Sequence, residues 1–153
     1  MISYRRGLLR LVLDTNVLVA ALRSDRGASR RLVISALDHE IEVLVSVPLM
    51  VEYEAVLTRP EHLAACGLRS RDVDTLLDAL AKVLIPVHLR FLWRPRLKDP
   101  ADEMVLETAV NGKADRLVTF NLRHLAEAAR EFGIIAARPG DAWKELQRRN
   151  EKK

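Results

Sequence analysis

Short, nearly continuous apolar runs alternate with amphipathic segments along this chain, and this alternation limits the possible folds more than any other feature. The first run, Leu8–Leu13, ends at Asp14 and has the pattern of a strand that is covered on both faces. Helical patterns follow, for example over residues 29–39 and 70–83. Strands that alternate with helices predict an open, mostly parallel α/β sheet.

The element boundaries follow from the apolar runs and from the glycine and proline residues between them. Strands are predicted at Leu8–Leu13, Ile41–Val47, Leu84–Leu89 and Arg116–Phe120, with a further short run at Ile134–Ala137. Helices are predicted at Val17–Leu22, Ser29–His39, Leu49–Leu57, Ser70–Val83, Pro100–Val110 and Leu122–Phe132, and a last one begins at Pro139. The basic and aromatic stretch Arg90–Lys98 is predicted as a loop.

The composition indicates one soluble domain. Of the 153 residues, 49% are hydrophobic and 30% are charged, so we expect one domain over residues 1–146 and a charged tail over residues 147–153. Cys66 is the only cysteine, which excludes an internal disulfide and a cysteine-rich zinc site. Since no apolar run approaches the ~20 residues of a membrane helix, we expect a cytoplasmic protein without a membrane partner. The formal charge of +4 permits a polyanionic partner.

Polar residues that follow parallel strands are candidates for binding, because ligands gather at the carboxyl edge of an open α/β sheet. Asp14 directly follows the first strand, where it is equally compatible with the cap of the next helix. Asn121 follows the fourth strand and belongs to the same edge, whereas Asp115 precedes that strand and belongs to the opposite edge. We therefore expect Asn121 to lie with Asp14.

The helix after the basic loop carries an acid on its buried side. On a helical wheel, Asp102 lies on the apolar stripe, whereas Glu103 and Glu107 are expected to face solvent. A buried carboxylate is costly unless positive charge meets it. The alternative interpretation is a capping box, in which Asp99 caps the helix and Asp102 is its acidic partner.

Glu52 presents the same conflict on the helix after the second strand, where it shares a face with Leu49 and Val56. The alternative interpretation of Glu52 is an acid at the rim that pairs with Arg59.

The three acids and the amide, if they lie near one edge, would repel each other without cations, and Mg²⁺ and Mn²⁺ prefer such oxygen ligands. Because a site of this kind activates water and neutralises charge on a phosphate, the residues predict hydrolysis of phosphodiesters.

Four sequence blocks also follow one another in a defined order. They are Val12–Leu18 with its Asp-Thr-Asn, Ser46 followed six places later by Glu52 and Tyr53, Asp99–Asp102 with Ala109, and Ala114–Asn121. Together these blocks resemble the PIN-domain ribonucleases over nearly the whole chain. The likeness is greatest to the small stand-alone PIN proteins that are classed with the toxins of toxin–antitoxin pairs.

This resemblance implies a three-layer α/β/α sandwich with a mostly parallel central sheet, and a Mg²⁺- or Mn²⁺-dependent endoribonuclease. The family's catalytic, metal-binding acids fall on Asp14, Glu52 and Asp102. Its fourth metal-binding position, often Asp in the family, is Asn121 here, which leaves a one-metal mechanism open. Thr119 is expected to assist through its hydroxyl. The resemblance further implies homodimers and inhibition by a small antitoxin protein.

An RNA substrate must be held as well as cut, mainly by cationic side chains that neutralise phosphates. The predicted nucleic-acid contacts are Arg94, Arg96, Lys98 and Thr119. The alternative is a solvated connector whose aromatic residues, Phe91 and Trp93, pack on the core or on a dimer partner. His124 lies one turn beyond Asn121, within possible reach of substrate.

Two other functions fit parts of the pattern. A catalytically weak PIN-like module that binds RNA or a protein partner is suggested by Asn121 and by the basic loop. A receiver domain of the phosphorelay type also has aspartates at its strand ends, but Asp14 lacks the neighbouring acidic residue that such a domain requires.

Overall fold

The core of the structure is one parallel sheet. The computed structural model describes residues 7–90 and 97–152. Within them the strands are β1 (Arg10–Leu13), β2 (Glu42–Val45), β3 (Ile85–Pro86), β4 (Arg116–Val118) and β5 (Ile135–Ala137). Their order across the sheet is β3-β2-β1-β4-β5, and every neighbouring pair is parallel. The predicted α/β class and parallel sheet are therefore confirmed.

The central strands are buried on both faces, as their unbroken apolar sequences require. Leu11, Val12 and Leu13 are each at most 2% exposed. Each strand is shorter than its predicted apolar run, and some of the remaining residues, such as Leu9, Ile41 and Leu84, are buried just before the paired segment.

Eight helices connect these strands in the described residues. They are α1 (Thr15–Arg23), α2 (Ala28–Leu37), α3 (Val47–Leu57), α4 (Pro60–Cys66), α5 (Ser70–Ala81), α6 (Pro100–Asn111), α7 (Leu122–Glu131) and α8 (Pro139–Glu151). Within the described parts of the chain, none of them combines the length and the apolarity needed to cross a membrane.

The helices cover the sheet in a three-layer α/β/α sandwich, as the resemblance implied. Helix α6 packs against β1, β2 and β4 and has α3 and α7 as neighbours. Helix α8 packs against β4, and α2 lies against both α1 and α8.

Two helical segments differ from the sequence prediction. Helix α4 was not predicted: it lies between the predicted helices Leu49–Leu57 and Ser70–Val83, where a proline ordinarily ends a helix. Proline also favours the first position of a helix, where its missing N–H is not needed, and Pro60 opens α4 in this way. Helix α8 continues to Glu151, so most of the segment predicted as a charged tail is helical. Arg148 and Arg149 lie in its last turn, where positive charge favours the helix.

The strand order reverses next to β1, and this reversal positions the site. The chain runs from β1 to β2 and β3 on one side and then returns to place β4 and β5 on the other. Ligands of open α/β sheets bind beyond the carboxyl ends of the strands at such a point. Leu13 pairs with Val118 there, and the Asp14 N–H donates to the Val118 carbonyl at 2.9 Å.

Candidate functional site

A hydrogen bond joins the carboxyl ends of β1 and β4. The Thr119 hydroxyl donates to Asp14 Oδ2 at 2.7 Å and accepts from the Asn121 N–H at 2.8 Å. Asp14 is 4% exposed and Thr119 is 0% exposed. Asp14 occupies the N-cap position of α1, but its carboxylate is held by a side chain from the neighbouring strand. The predicted proximity of Asp14 to Asn121 is therefore observed.

Asp102 approaches the same edge from the first turn of α6. Asn121 Nδ2 donates to Asp102 Oδ2 at 3.2 Å, and the aspartate is 8% exposed. The cap predicted at Asp99 is present, because its Oδ1 accepts from the Ala101 N–H at 2.9 Å. Asp102 is thus linked to the residue after β4, outside its own helix.

The two buried carboxylates repel each other. Burial raises the pKa of Asp14, the Thr119 hydrogen bond opposes this shift, and the charges of Asp102 and Asp99 raise the pKa further. Burial also raises the pKa of Asp102, together with the charge of Asp99, while Asn121 and His124 oppose the shift. A proton or a cation would relieve this repulsion.

Glu52 is not joined to this pair. Glu52 lies half-buried on α3. The charges that raise the pKa of Asp14 come from Asp102 and Asp99, and Glu52 is not among them. Among residues 7–90 and 97–152, no three histidine, cysteine or carboxylate side chains are placed to hold a metal ion. The assignment of Glu52 to the site therefore stays a prediction.

Tyr53 is a supporting residue to which the sequence analysis assigned no role of its own. Its hydroxyl donates to the Leu13 carbonyl, directly before Asp14, and its side chain is 1% exposed. The bond ties α3 to the end of β1. A further bond of 2.8 Å between the hydroxyls of Ser46 and Thr108 ties the start of α3 to α6. In the sequence, Tyr53 is an aromatic residue on the apolar face of the predicted helix, which ordinarily indicates core packing, and it directly follows Glu52 in one of the four ordered blocks.

The prediction that Glu103 faces solvent is wrong. Glu103 is 7% exposed, and its Oε2 accepts from the Leu97 N–H at 2.9 Å. Glu107 is half-buried, and burial together with the charge of Glu103 raises its pKa. A helical wheel considers the helix alone, whereas here the segment that enters α6 folds back over this side.

A cavity of about 410 Å³ opens beside Asp102. It is lined by Leu97, Lys98, Asp99, Asp102, Asn121 and His124. The structure thus brings Lys98, a predicted nucleic-acid contact, and His124 to the cavity. Arg94 and Arg96 lie outside the described residues, as do Phe91 and Trp93. Thr119 is fully buried and its hydroxyl is engaged with Asp14 and Asn121, which argues against the predicted contact of Thr119 with nucleic acid.

The residues at this edge fit a hydrated divalent cation. Mg²⁺ usually retains several waters and binds through one or two carboxylates together with substrate phosphates, and Asp14 and Asp102 supply two. Thr15, which follows Asp14, is 5% exposed, and in the described structure its hydroxyl has no hydrogen-bond partner. A buried hydroxyl of this kind is suited to a bound water or ligand oxygen.

Comparison with known protein families gives one match. The model of the PIN domain matches residues 10–123, from the first residue of β1 into α7. The matched range contains Asp14, Glu52, Asp102 and Asn121. A search of curated proteins found no match.

Proposed function

The chain belongs to the PIN-domain family, whose members are typically nucleases, and on this premise we propose that it is a divalent-metal-dependent endoribonuclease. The reaction is hydrolysis of RNA phosphodiester bonds. The observation that carries the proposal is the pair of buried carboxylates, Asp14 and Asp102, at the edge where the strand order reverses. Such a pair is costly without a counterion, and the side-chain hydrogen bonds that hold it in the described residues come from a neutral hydroxyl and a neutral amide.

Each residue of the site has a distinct role in this reaction. A bound Mg²⁺ or Mn²⁺ ion would supply positive charge for the phosphate and activate the attacking water. Asp14 and Asp102 would hold the ion. Thr119 fixes the orientation of the Asp14 carboxylate, and Asn121 orients that of Asp102. Because Asn121 donates through Nδ2, its Oδ1 is left as a neutral oxygen ligand, which favours a single ion over two.

The residues that line the cavity are consistent with the proposed RNA substrate. Lys98 is exposed and lines the cavity with Asp102, so its ammonium is suited to the phosphate that follows or precedes the scissile one. The net charge of +4 gives the whole chain a mild attraction to polyanions.

A second candidate function is RNA or protein binding without cleavage. Two observations favour it. Asn121 lacks the charge that the family often has at this position, and Glu52 is not joined to Asp14 and Asp102. In this function, the pocket would bind a cation too weakly to support hydrolysis.

The resemblance to stand-alone PIN proteins supports the further proposal that the chain is the toxin of a toxin–antitoxin pair and forms homodimers. Induced expression of the chain in bacteria is expected to arrest growth, and co-expression of a small neighbouring reading frame is expected to relieve the arrest. Normal growth during expression of soluble chain would contradict the toxin role without affecting the nuclease proposal.

The test of the nuclease function is cleavage of single-stranded RNA by the purified chain in Mn²⁺. We expect cleavage that EDTA abolishes and added Mn²⁺ restores, and that Asp102→Asn loses. The amide of this variant still accepts from Asn121, so its fold is retained. Full cleavage by a folded Asp102→Asn protein would refute the assignment of this site. Binding without cleavage by the wild-type chain would favour the second function.

A further inference from the structure

Phe120 is exposed between two residues of the candidate site. It follows Thr119, which holds Asp14, and precedes Asn121, which holds Asp102. Phe120 is 49% exposed, and among the exposed large hydrophobic residues of the described structure it is the aromatic one. An exposed ring forgoes the stabilisation that burial would give and leaves its aromatic face available to a ligand at this edge of the sheet.

The backbone presents Phe120 rigidly. On one side, the Thr119 N–H donates to the Ala137 carbonyl at 2.9 Å, and the Thr119 side chain is fully buried. On the other side, the Asn121 N–H donates to the Thr119 hydroxyl at 2.8 Å. A ligand that contacts the ring therefore has little backbone order to impose, which lowers the entropic cost of binding.

The surroundings of Phe120 match the chemistry of a nucleotide. Phe120 is not itself among the residues that line the 410 Å³ cavity, but Asn121, the next residue, is, and consecutive Cα atoms lie about 3.8 Å apart. Lys98 and His124 line the same cavity and supply positive or polar groups for phosphates. An aromatic face beside phosphate-binding groups is the arrangement by which proteins hold unpaired nucleotides.

We propose that the ring of Phe120 is a stacking platform for an unpaired nucleobase next to the phosphate that is cut. The bases of a duplex are already stacked on both sides, so this platform selects single-stranded or looped RNA over duplex RNA. The inference rests on the proposed function for its substrate, but it concerns binding and is testable without cleavage.

The experiment measures binding of a fluorescently labelled short oligouridylate and of a blunt RNA duplex to the full chain in EDTA. Phe120→Ala is expected to weaken single-strand binding about 5- to 150-fold, the range that loss of one base–aromatic stack produces. Duplex binding is expected to change little. Phe120→Trp is expected to retain single-strand binding, whereas Phe120→Leu, which keeps apolar bulk without an aromatic face, is expected to lose most of it.

Ile135→Ala is the matched control. Ile135 is 57% exposed and pairs with Arg116 at the opposite end of β4, so its truncation removes exposed apolar surface away from the site. Equal effects of Phe120→Ala and Ile135→Ala, or wild-type binding by Phe120→Leu, would overturn the proposal.

Two results separate this inference from the proposed function. If the chain binds single strands through Phe120 but does not cut them, the platform stands and the nuclease function fails. If Phe120→Ala binds and cuts as the wild type does, the nuclease function stands and the platform fails. A change of oligomeric state in Phe120→Ala and Phe120→Leu, measured by sedimentation, would assign the ring to a protein interface and also overturn the platform.

Discussion

The two ends of the parallel sheet both carry acidic residues, but in the described residues only the amino end holds one of them in an ion pair with an arginine. At the amino end, Asp115 Oδ2 accepts from the Arg10 backbone N–H at 2.8 Å. Nearby, Arg116 binds Glu145 through two bonds of 2.9 Å. At the carboxyl end, Asp14 and Asp102 accept from a neutral hydroxyl and a neutral amide, and each is under 10% exposed.

The difference distinguishes acids that stabilise the fold from acids that can bind a ligand. Glu145 has its counterion within the chain and is already satisfied, so it has little to gain from an external cation. Asp14 and Asp102 have geometry fixed by hydrogen bonds but no positive partner in those bonds. Such a pair lowers the stability of the free protein, and a bound cation would restore that stability, as the proposed metal site requires.

The largest expected effect is a loss of RNA cleavage, and it is expected from substitutions at the carboxyl end of the sheet only. Asp14→Asn removes a charge that would hold the ion, and such ions contribute several kcal/mol to transition-state stabilisation, so cleavage should fall at least about 100-fold. Asp115→Asn, at the amino end, should cleave RNA at the wild-type rate. Rates with single-stranded RNA in Mn²⁺ provide the comparison. Equal losses in both variants would show that the two ends do not differ in function.

A smaller effect is expected from the residue that orients Asp14. Thr119→Val removes the hydroxyl that joins Asp14 to Asn121, and loss of an outer-shell partner typically weakens metal affinity about 10- to 100-fold. Thr119→Ser keeps the hydroxyl and should restore most of the affinity. Titration with Mn²⁺, followed by calorimetry or by electron paramagnetic resonance, measures the constants. Unchanged Mn²⁺ affinity in a folded Thr119→Val protein would argue that Asp14 needs no orientation.

The smallest expected effect is on the stability of the metal-free protein. Removal of an acidic charge is expected to stabilise the protein at the carboxyl end of the sheet and to destabilise it at the amino end. The pKa values of Asp14 and Asp102 are raised in the folded state above the ordinary 3.8. Between that value and the raised values, the folded chain binds more protons than the unfolded chain. The free energy of unfolding of the metal-free protein therefore falls as pH rises through this interval.

At neutral pH, Asp102→Asn should accordingly raise the melting temperature of the metal-free protein and flatten its dependence on pH. Glu145→Gln should instead lower the free energy of unfolding by about 0.2–1 kcal/mol, the value of an ion pair near the surface. Thermal denaturation in EDTA across the acidic range measures both. A lower melting temperature for Asp102→Asn would show that its charge is compensated in the free protein.

Much of the fold could be predicted because it depends on local patterns. The continuous apolar runs around β1 and β2 indicated buried parallel strands, and the position of Asn121 after β4 placed it with Asp14. Helix α4 was missed, since a short helix with no fully buried residue leaves little periodic signal. Glu103 was assigned to solvent because the sequence does not show that the segment before α6 folds over that side of the helix.

The sequence by itself determined the elements of this protein and the acids that end or interrupt them, because strand and helix periodicity act over a few neighbouring residues. Only the tertiary structure decided which acids meet. The reversal of strand order beside β1 places Thr119 against Asp14, and the docking of α6 carries Asp102 to Asn121. Glu52 has the same local pattern as Asp102 but is not joined to the pair. Proximity between distant segments depends on how the layers pack, and periodicity along the chain carries no information about that packing.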